Sequence, residues 1–417
     1  MFKKVKGFQD IFGEDIPYWH KAETTLKEVA ERYCVRELRV PVLEKTEVFD
    51  RGIGSSTDIV EKEMFTFTDR DGGLLSMRPE GTAGAVRAFV ENGLHAQPGL
   101  KKFYYLGPMF RRERPQKGRY RQFTQGGIEY IGSASPLADA EVINLFMDYF
   151  KEVGIDEHLR LEINSVGCPS CRPGYHEILK AYFREHLDTL CEDCKRRLDK
   201  NPLRILDCKN EGCKLIIKDA PLMRDHLCSD CNDHFAEVEK YLDLMDISFT
   251  VNPYIVRGLD YYVRTAFEAI TDKLGAASAV GGGGRYDGLV KLMGGADTPG
   301  IGFAIGIDRV VALMKETETL EEIRPDYFII TFENTRKYGI RLLNILRKKG
   351  RKVEIDHDMA GMKNQMKKAD RSGAKYAIIL GEDEINLGNV TLKELTSAMG
   401  ETGKQKEISI EELYKMR

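Results

Sequence analysis

KKFYYLGPMFRRERPQKGRYRQFTQGGIEYIG, residues 101–132, holds two apolar and aromatic runs separated by a strongly polar connector. Runs rich in Tyr, Phe and Ile read as strands, and a connector containing Gly and Pro turns one back antiparallel to the other. That connector gathers Arg111, Arg112, Arg114, Lys117, Arg119 and Arg121 in a chain whose formal net charge is only −3. The hairpin tip is therefore a local cationic strip with Tyr120 and Phe123 interleaved, the mixture that nucleic acid binding uses; a merely solvated charge run is the alternative. Arg111 enters from the first strand, and its planar donors suit two phosphate oxygens at once. On the second strand side chains alternate, so Gln125, Gly127 and Glu129 share one face. Glycine between two polar side chains lets a ligand lie against the backbone, while the competing reading is a solvent-washed face of an antiparallel sheet.

Upstream of the hairpin, Trp19, Ala22, Leu26, Val29 and Tyr33 recur at helical spacing and predict an amphipathic helix ending near Cys34. ELRVPVLE (37–44) reads as a strand that Pro41 pushes to an edge or an interface, and LLSMR (74–78) as another. Downstream, Ser135-Pro136 opens an apolar helix that Gly154 stops. Residues 165–245 are charged, helical in pattern and hold eight of the nine cysteines, an insertion between two parts of one sheet domain, 1–164 and 246–320. Strand character returns in VNPYIVRGLDYYVRTAFEAI (251–270). From 325 to 417 strands and helices alternate (DYFIITF, RKVEI and KYAIIL with helices between), which argues a small α/β domain with a largely parallel sheet.

A chain of 417 residues, 42% hydrophobic, has material for two or three packed domains. No window of about 18 uncharged apolar residues is present to span a bilayer, and MFKKVKGFQDIFGED reaches acidic residues before any signal-like apolar run, so the expected location is cytoplasmic, with no membrane partner. Cysteines there are reduced thiols or metal ligands rather than disulfides. Cys168 and Cys171, Cys191 and Cys194, Cys208 and Cys213, and Cys228 and Cys231 form four pairs at spacings that suit structural zinc, four thiolates completing one site. Ordinary thiols on one face of a helix are the alternative, and spacing leaves open which pairs meet.

Four further motifs carry polar chemistry. RPEGT (78–82) sets Glu80 and Thr82 two residues apart at a strand end, or is simply a helix start capped by Thr82. VRGLDYY (256–262) places Arg257 ahead of Tyr261 and Tyr262. GGGGRYDG (281–288) lacks the strand and spacing of a dinucleotide fingerprint but signals close approach to a flat ligand or to another strand. GIGFAIGIDRV (300–310) alternates small residues along a strand and puts Arg309 in the first turn of the next helix, a floor for a nucleotide with an arginine for phosphate.

These pieces together resemble the histidyl-tRNA synthetases, a family of class II aminoacyl-tRNA synthetases, over essentially the whole chain. RVPVLE, FRRERPQKGRYRQF and GIGFAIGIDR look like the three class motifs. VRGLDYY and GGGGRYDG resemble two signatures of the histidine enzymes, and KADRSGAKYAIILGEDE (368–384) resembles their anticodon-binding domain. The resemblance implies an α+β catalytic domain built on an antiparallel sheet with flanking helices, a helical cysteine-rich insertion and a C-terminal α/β anticodon-binding domain. It implies that L-histidine is activated with ATP and Mg²⁺ and transferred to tRNA(His) by a homodimer. By the same resemblance Arg111 and Arg257 flank the α-phosphate and Arg309 manages the outer phosphates. Glu80, Thr82 and Gln125 take the α-ammonium group, Glu129 and Tyr262 read the imidazole, and Tyr261 with residues 285–288 walls the pocket. The loop residues Arg112, Arg114, Lys117, Arg119 and Arg121 touch the RNA end. Two related readings remain: the non-aminoacylating regulatory subunit of ATP phosphoribosyltransferase, and a non-catalytic tRNA-sensing module. The cysteine-rich stretch departs from typical family members.

Overall fold

Apolar residues at helical spacing give the helix Ile16–Arg32 its buried stripe of Trp19, Ala22, Leu26 and Val29, and Cys34 then leaves the helix with φ 58°. The structure is a computed structural model that describes every residue except 1, 55, 56, 58, 116, 117, 257, 276–278, 322, 359, 396–403 and 417. It divides into two units, Met1–Leu320 and Glu321–Arg417.

The strands of the first unit are β1 (Arg36–Glu37), β2 (Leu43–Lys45), β3 (Phe65–Thr68), β4 (Leu74–Met77), β5 (Lys101–Phe110), β6 (Gln122–Ile131), β7 (Arg160–Ser165), β8 (Thr250–Val251), β9 (Val263–Ile270), β10 (Ala279–Arg285) and β11 (Gly300–Gly306). Eight of them form one sheet in the order β1-β5-β6-β11-β10-β9-β7-β8, antiparallel except for the outermost pairs β1/β5 and β7/β8. The hairpin read from residues 101–132 is β5/β6, paired from Lys101↔Ile131 to Phe110↔Gln122. Helix Pro136–Val153, with Ser135 Oγ accepting from the Leu137 N–H and Gly154 left-handed at its end, lays Ile143, Phe146 and Phe150 into the main core with Phe267 and Phe303. Rings in tilted or edge contact there add to the gain from area burial.

Two expected strands are corrected. ELRVPVLE is not one strand: β1 joins the large sheet, β2 joins a separate sheet ordered β2-β4-β3, and the residues between cross from one to the other. Pro41 has no N–H for a ladder, and the carbonyl of Val40 is taken instead by Arg78 Nη1 at 2.8 Å. The run 251–270 is likewise broken. Among the described residues only β8 and β9 are extended, with turns at Pro253–Tyr254 and Asp260–Tyr261 between them.

Residues between β7 and β8 form helices Arg172–Glu185, Glu192–Lys200, Glu211–Ile217 and Ser229–Leu244. The first three share a small core of their own around Tyr175, Leu179, Phe183 and Cys194, whereas the last packs Phe235, Val238 and Leu242 into the main core.

The second unit has β12 (Tyr327–Thr331), β13 (Val353–Ile355), β14 (Tyr376–Leu380), β15 (Asn389–Glu394) and β16 (Gln405–Ser409), in the order β13-β12-β14-β15-β16. The first three are parallel; β15 and β16, which the sequence reading did not resolve, add antiparallel at one edge. Helices Arg336–Lys348 and Met362–Ser372 make the crossovers, as parallel strands require. No described helix is long and apolar enough to cross a membrane.

Candidate active site

Glu129 is wholly buried on β6, so the face it shares with Gln125 is not the solvent-washed face that was the alternative. Its Oε1 accepts from Thr82 Oγ1 at 2.7 Å, and its Oε2 accepts from the Tyr286 hydroxyl. Burial pushes its carboxyl up to about 8, against the pull of those two hydroxyls. Room for the carboxylate comes from Gly302 on the neighbouring strand, where a Cβ would stand 2.1 Å from Glu129 Oε2.

Thr82 does not cap the helix Thr82–Glu91. Gly81 is at the N-cap, and the Glu80 carboxylate before it accepts from the N–H groups of Thr82 (2.6 Å) and Ala83 (2.8 Å), leaving the threonine hydroxyl for Glu129. Burial raises the Glu80 carboxyl too, with the two backbone donors opposing. Gln125 Oε1 accepts from the Gly81 N–H at 3.1 Å, which joins the RPEGT segment to β6. Arg78 fixes the same segment from below, donating to the carbonyls of Pro108 (2.9 Å) and Val40 (2.8 Å).

Tyr105, on β5 opposite Gly127, is a site residue the sequence reading missed. Its ring fills a slot between two glycines: a Cβ on Gly81 would lie 2.2 Å from Tyr105 Cε2, and one on Gly127 would lie 2.2 Å from Tyr105 Cζ. The Tyr261 and Tyr262 rings meet at a tilt of 48° with 4.7 Å between centroids. The Tyr105 and Tyr261 hydroxyls are buried without a hydrogen-bond partner among the described residues, and orphaned polar atoms at one place mark a position for a polar ligand.

A cavity of about 350 Å³ opens over this cluster, and Glu80, Thr82, Gln125, Tyr261 and Tyr262 line one part of it. Arg111, Arg119 and Arg309 line it as well. Arg111 Nε donates to the Pro79 carbonyl (2.8 Å), and its guanidinium lies 5.3 Å from the centre of the Phe123 ring. Arg309, in the first turn of helix Ile307–Thr317, donates to the carbonyls of Ala279 and Gly118. Burial, then the Arg119 cation, lower Arg309 to about 10, so it keeps its charge at neutral pH. Beside it Asp308 ties the helix to β6 by accepting from the Thr124 N–H at 2.7 Å; burial raises its carboxyl to about 6. Gly281, Gly282 and Gly306 supply a backbone floor. Not every glycine serves a ligand: a Cβ on Gly283 would meet the Gly302 carbonyl at 2.1 Å, so that residue is there for strand contact.

Of the basic loop, Arg112 and Arg114 are exposed and Arg121 is half-buried, its Nε donating to the Glu113 carbonyl at 3.4 Å. Arg119 lines the cavity and pairs with Glu113 at 3.4 Å, and the Gly118 carbonyl beside it accepts from Arg309. Lys117 and Arg257 lie outside the described residues. The segment 285–288 does not wall the cavity as expected. Tyr286 alone reaches Glu129, while Arg285 is buried in an ion pair with Asp139 (2.6 Å) and Asp287 (2.8 Å). Cys168, Cys171, Cys228 and Cys231 converge in one group, and Cys191, Cys194, Cys208 and Cys213 in another; none lines the cavity over Thr82, though Cys208 borders a neighbouring cavity with Arg119 and Arg309.

Comparison with known proteins gives a single family. Residues 7–310 match the family model described as Histidyl-tRNA synthetase, and 326–416 match that of an anticodon binding domain. The Histidine--tRNA ligase of Trichlorobacter lovleyi is 49% identical over 392 residues, 94% of this chain and 93% of the relative. The crystal structure of apo S. aureus histidyl-tRNA synthetase superposes with a TM-score of 0.81 at 36% identity, covering 100% of this chain and 99% of that one. A Bacillus halodurans C protein described as an ATP phosphoribosyltransferase regulatory subunit/histidyl-tRNA synthetase shares the fold at 22% identity and TM-score 0.65, covering 88% of this chain and 96% of its own.

Proposed function

The chain belongs to the histidyl-tRNA synthetase family, and from that premise we propose that the cavity over Glu129 binds histidine at its buried end and ATP at its arginine-lined end. The reaction is that of a histidine–tRNA ligase: histidine and ATP give histidyl-adenylate and pyrophosphate, and the histidyl group then passes to tRNA(His). The observation that carries the assignment of ends is Thr82, which lines the cavity and donates to the wholly buried Glu129 behind it, while Arg111, Arg119 and Arg309 line the same cavity.

Both imidazole nitrogens are polar, and a dry pocket admits them only where partners wait. Glu129 faces one nitrogen and the Tyr262 side the other; an amino acid without them leaves buried groups unpaired, which is the basis of selection. Glu80, Thr82 and Gln125, set around the start of one helix, receive the α-ammonium group. The α-carboxylate is then presented to the α-phosphorus under Arg111, whose Nε is held by the Pro79 carbonyl and whose Nη1 lies 3.7 Å from Glu113 Oε1. Arg257 is assigned the same phosphate on the family resemblance alone.

The Arg119 and Arg111 cations both disfavour the charge on Arg309, and a triphosphate relieves that repulsion. Their fixed positions stabilise charge as it moves toward pyrophosphate without reorganisation, the usual source of acceleration in such displacements. Glu113 and Glu268 line the same cavity and offer the hard oxygen donors Mg²⁺ takes; bound there, the ion neutralises the outer phosphates. Arg112, Arg114, Lys117 and Arg121 meet the RNA end.

The working form is a homodimer in the cytoplasm. Support for the dimer comes from the sheet β2-β4-β3, whose register puts Leu43 and Phe67, 44% and 45% exposed, on one face with Leu75 and Met77. Sedimentation at micromolar concentration tests it, a monomer being the contrary result. The cysteines are structural zinc ligands that do not touch the reacting groups. Histidine-dependent exchange of pyrophosphate into ATP tests the site as a whole, and its absence in folded protein would overturn the assignment.

A further inference from the structure

We infer that the insertion holds two zinc ions in nested tetrathiolate sites, one of Cys168, Cys171, Cys228 and Cys231, the other of Cys191, Cys194, Cys208 and Cys213, and that the outer ion also positions Tyr262. The inference rests on the reading of the cysteines as zinc ligands and adds their pairing, the number of ions and a coupling to the histidine pocket.

Within each group the four Sγ atoms lie within 4.8 Å of one another. Four thiolates at about 2.3 Å from one zinc form a tetrahedron with edges of about 3.8 Å. The separations recorded are 3.7 Å for Cys168–Cys228, 3.7 Å for Cys168–Cys171, 4.0 Å for Cys171–Cys231 and 3.8 Å for Cys191–Cys208. Disulfides would use the thiols two by two and give no reason for all four to converge. The local structure suits thiolate as well. Cys171, Cys191 and Cys228 each stand at the N-cap of a helix, where first-turn amides and the helix dipole favour negative charge. Backbone N–H groups also point at sulfur, from Cys168 to Cys171 Sγ and from Cys191 to Cys213 Sγ, both at 3.2 Å.

The two sites do different work. Cys168 lies just after β7 and Cys228 opens the helix that returns to the main core, so the outer ion ties the entry of the insertion to its exit. The inner ion joins Cys191 and Cys194 to Cys208 and Cys213 inside that loop, within the small core that holds Cys194 and Cys213. Arg172 follows Cys171 directly. It donates to the Val166 carbonyl (2.8 Å) and to the Tyr262 carbonyl, so the segment the outer ion fixes also holds the backbone of Tyr262.

Elemental analysis of full-length protein purified without chelator should return about two equivalents of zinc. Cobalt should replace both, with thiolate charge-transfer and tetrahedral d–d absorption. The double variants Cys228→Ser/Cys231→Ser and Cys208→Ser/Cys213→Ser should each keep about one equivalent, and only the first should raise the KM for histidine in exchange, about tenfold, with kcat changed less. Less than about a tenth of an equivalent in wild type, with the eight thiols freely titratable, overturns both sites, and an iron chromophore overturns zinc. One equivalent in wild type overturns the second site. Equal KM effects from the two variants overturn the coupling to Tyr262. The wild-type metal count and cobalt spectrum decide the number of ions even if a variant fails to fold.

Discussion

Burial favours the neutral form of Glu129, and this sets a pH dependence. Its carboxyl titrates near 8 when folded and near 4.5 when unfolded, so folding takes up a proton between those values. The contribution is complete below pH 4.5 and is lost as pH rises through 8. Glu129→Gln, which cannot ionise, should gain stability over wild type by roughly 1.4 kcal/mol per pH unit across that window. Melting curves of ligand-free protein from pH 5 to 9 read this directly, and a difference that stays flat with pH would sink it. The same variant should lose about 10- to 100-fold in kcat/KM for histidine, since it has no carboxyl from which the imidazole can draw the proton to form a charge-assisted hydrogen bond. Gly302→Ala sets a Cβ 2.1 Å from Glu129 Oε2 and 2.3 Å from the Ile128 carbonyl. It should cost about 1–3 kcal/mol of stability and raise the histidine KM, as thermal melts and exchange kinetics would register. Alternation along β6 was enough to bring Gln125 and Glu129 together on paper. Gly302, Tyr286 and Tyr105 were not attached to them, because facing residues across strands depend on register, which one strand's pattern does not contain.

Among the elements, the hairpin separates two tasks that its sequence ran together. Arg119 turns into the cavity and Arg114 out to solvent. Arg119→Ala should therefore lower pyrophosphate exchange and tRNA charging by similar factors. Arg114→Ala should leave exchange intact, weaken charging, and flatten the salt dependence of tRNA binding by about one unit of log slope. Unequal losses for Arg119, or a loss of exchange for Arg114, would reverse the assignment. Glu113 was not used in reading the loop: a single acid among six bases looks incidental, yet it pairs with Arg119 at 3.4 Å. Elements with long periodic runs, such as Pro136–Val153, were legible because helix burial is local. ELRVPVLE was not, since its two halves serve different sheets and only tertiary pairing decides where the break falls.

For the molecule as a whole, each unit carries its own buried clusters, Tyr18 through Met314 in the first and Tyr327 through Leu413 in the second. Residues 1–320 alone should therefore fold and retain histidine-dependent exchange while charging tRNA far more slowly, by about 100-fold or more if anticodon contacts contribute near 3 kcal/mol. Loss of exchange in a folded truncated protein would show that adenylation needs the second unit. The alternation of strands and helices after residue 325 was plain in sequence. The antiparallel edge β15/β16 was not, because short strands of mixed polarity resemble loops until they are paired.

The slot around Tyr105 has a further consequence for the range of amino acids this enzyme can be made to use. Gly81 and Gly127 have no side chains with which to close the space if the ring is removed. Tyr105→Ala should leave a hollow about the size of the lost ring beside the imidazole position, at a stability cost of about 3–5 kcal/mol. Ring-methylated or ring-extended histidines, excluded from the native pocket, should then support exchange while histidine itself binds less well. A substrate panel would show it, and an unchanged preference for histidine would mean that the hollow had collapsed or filled with ordered water.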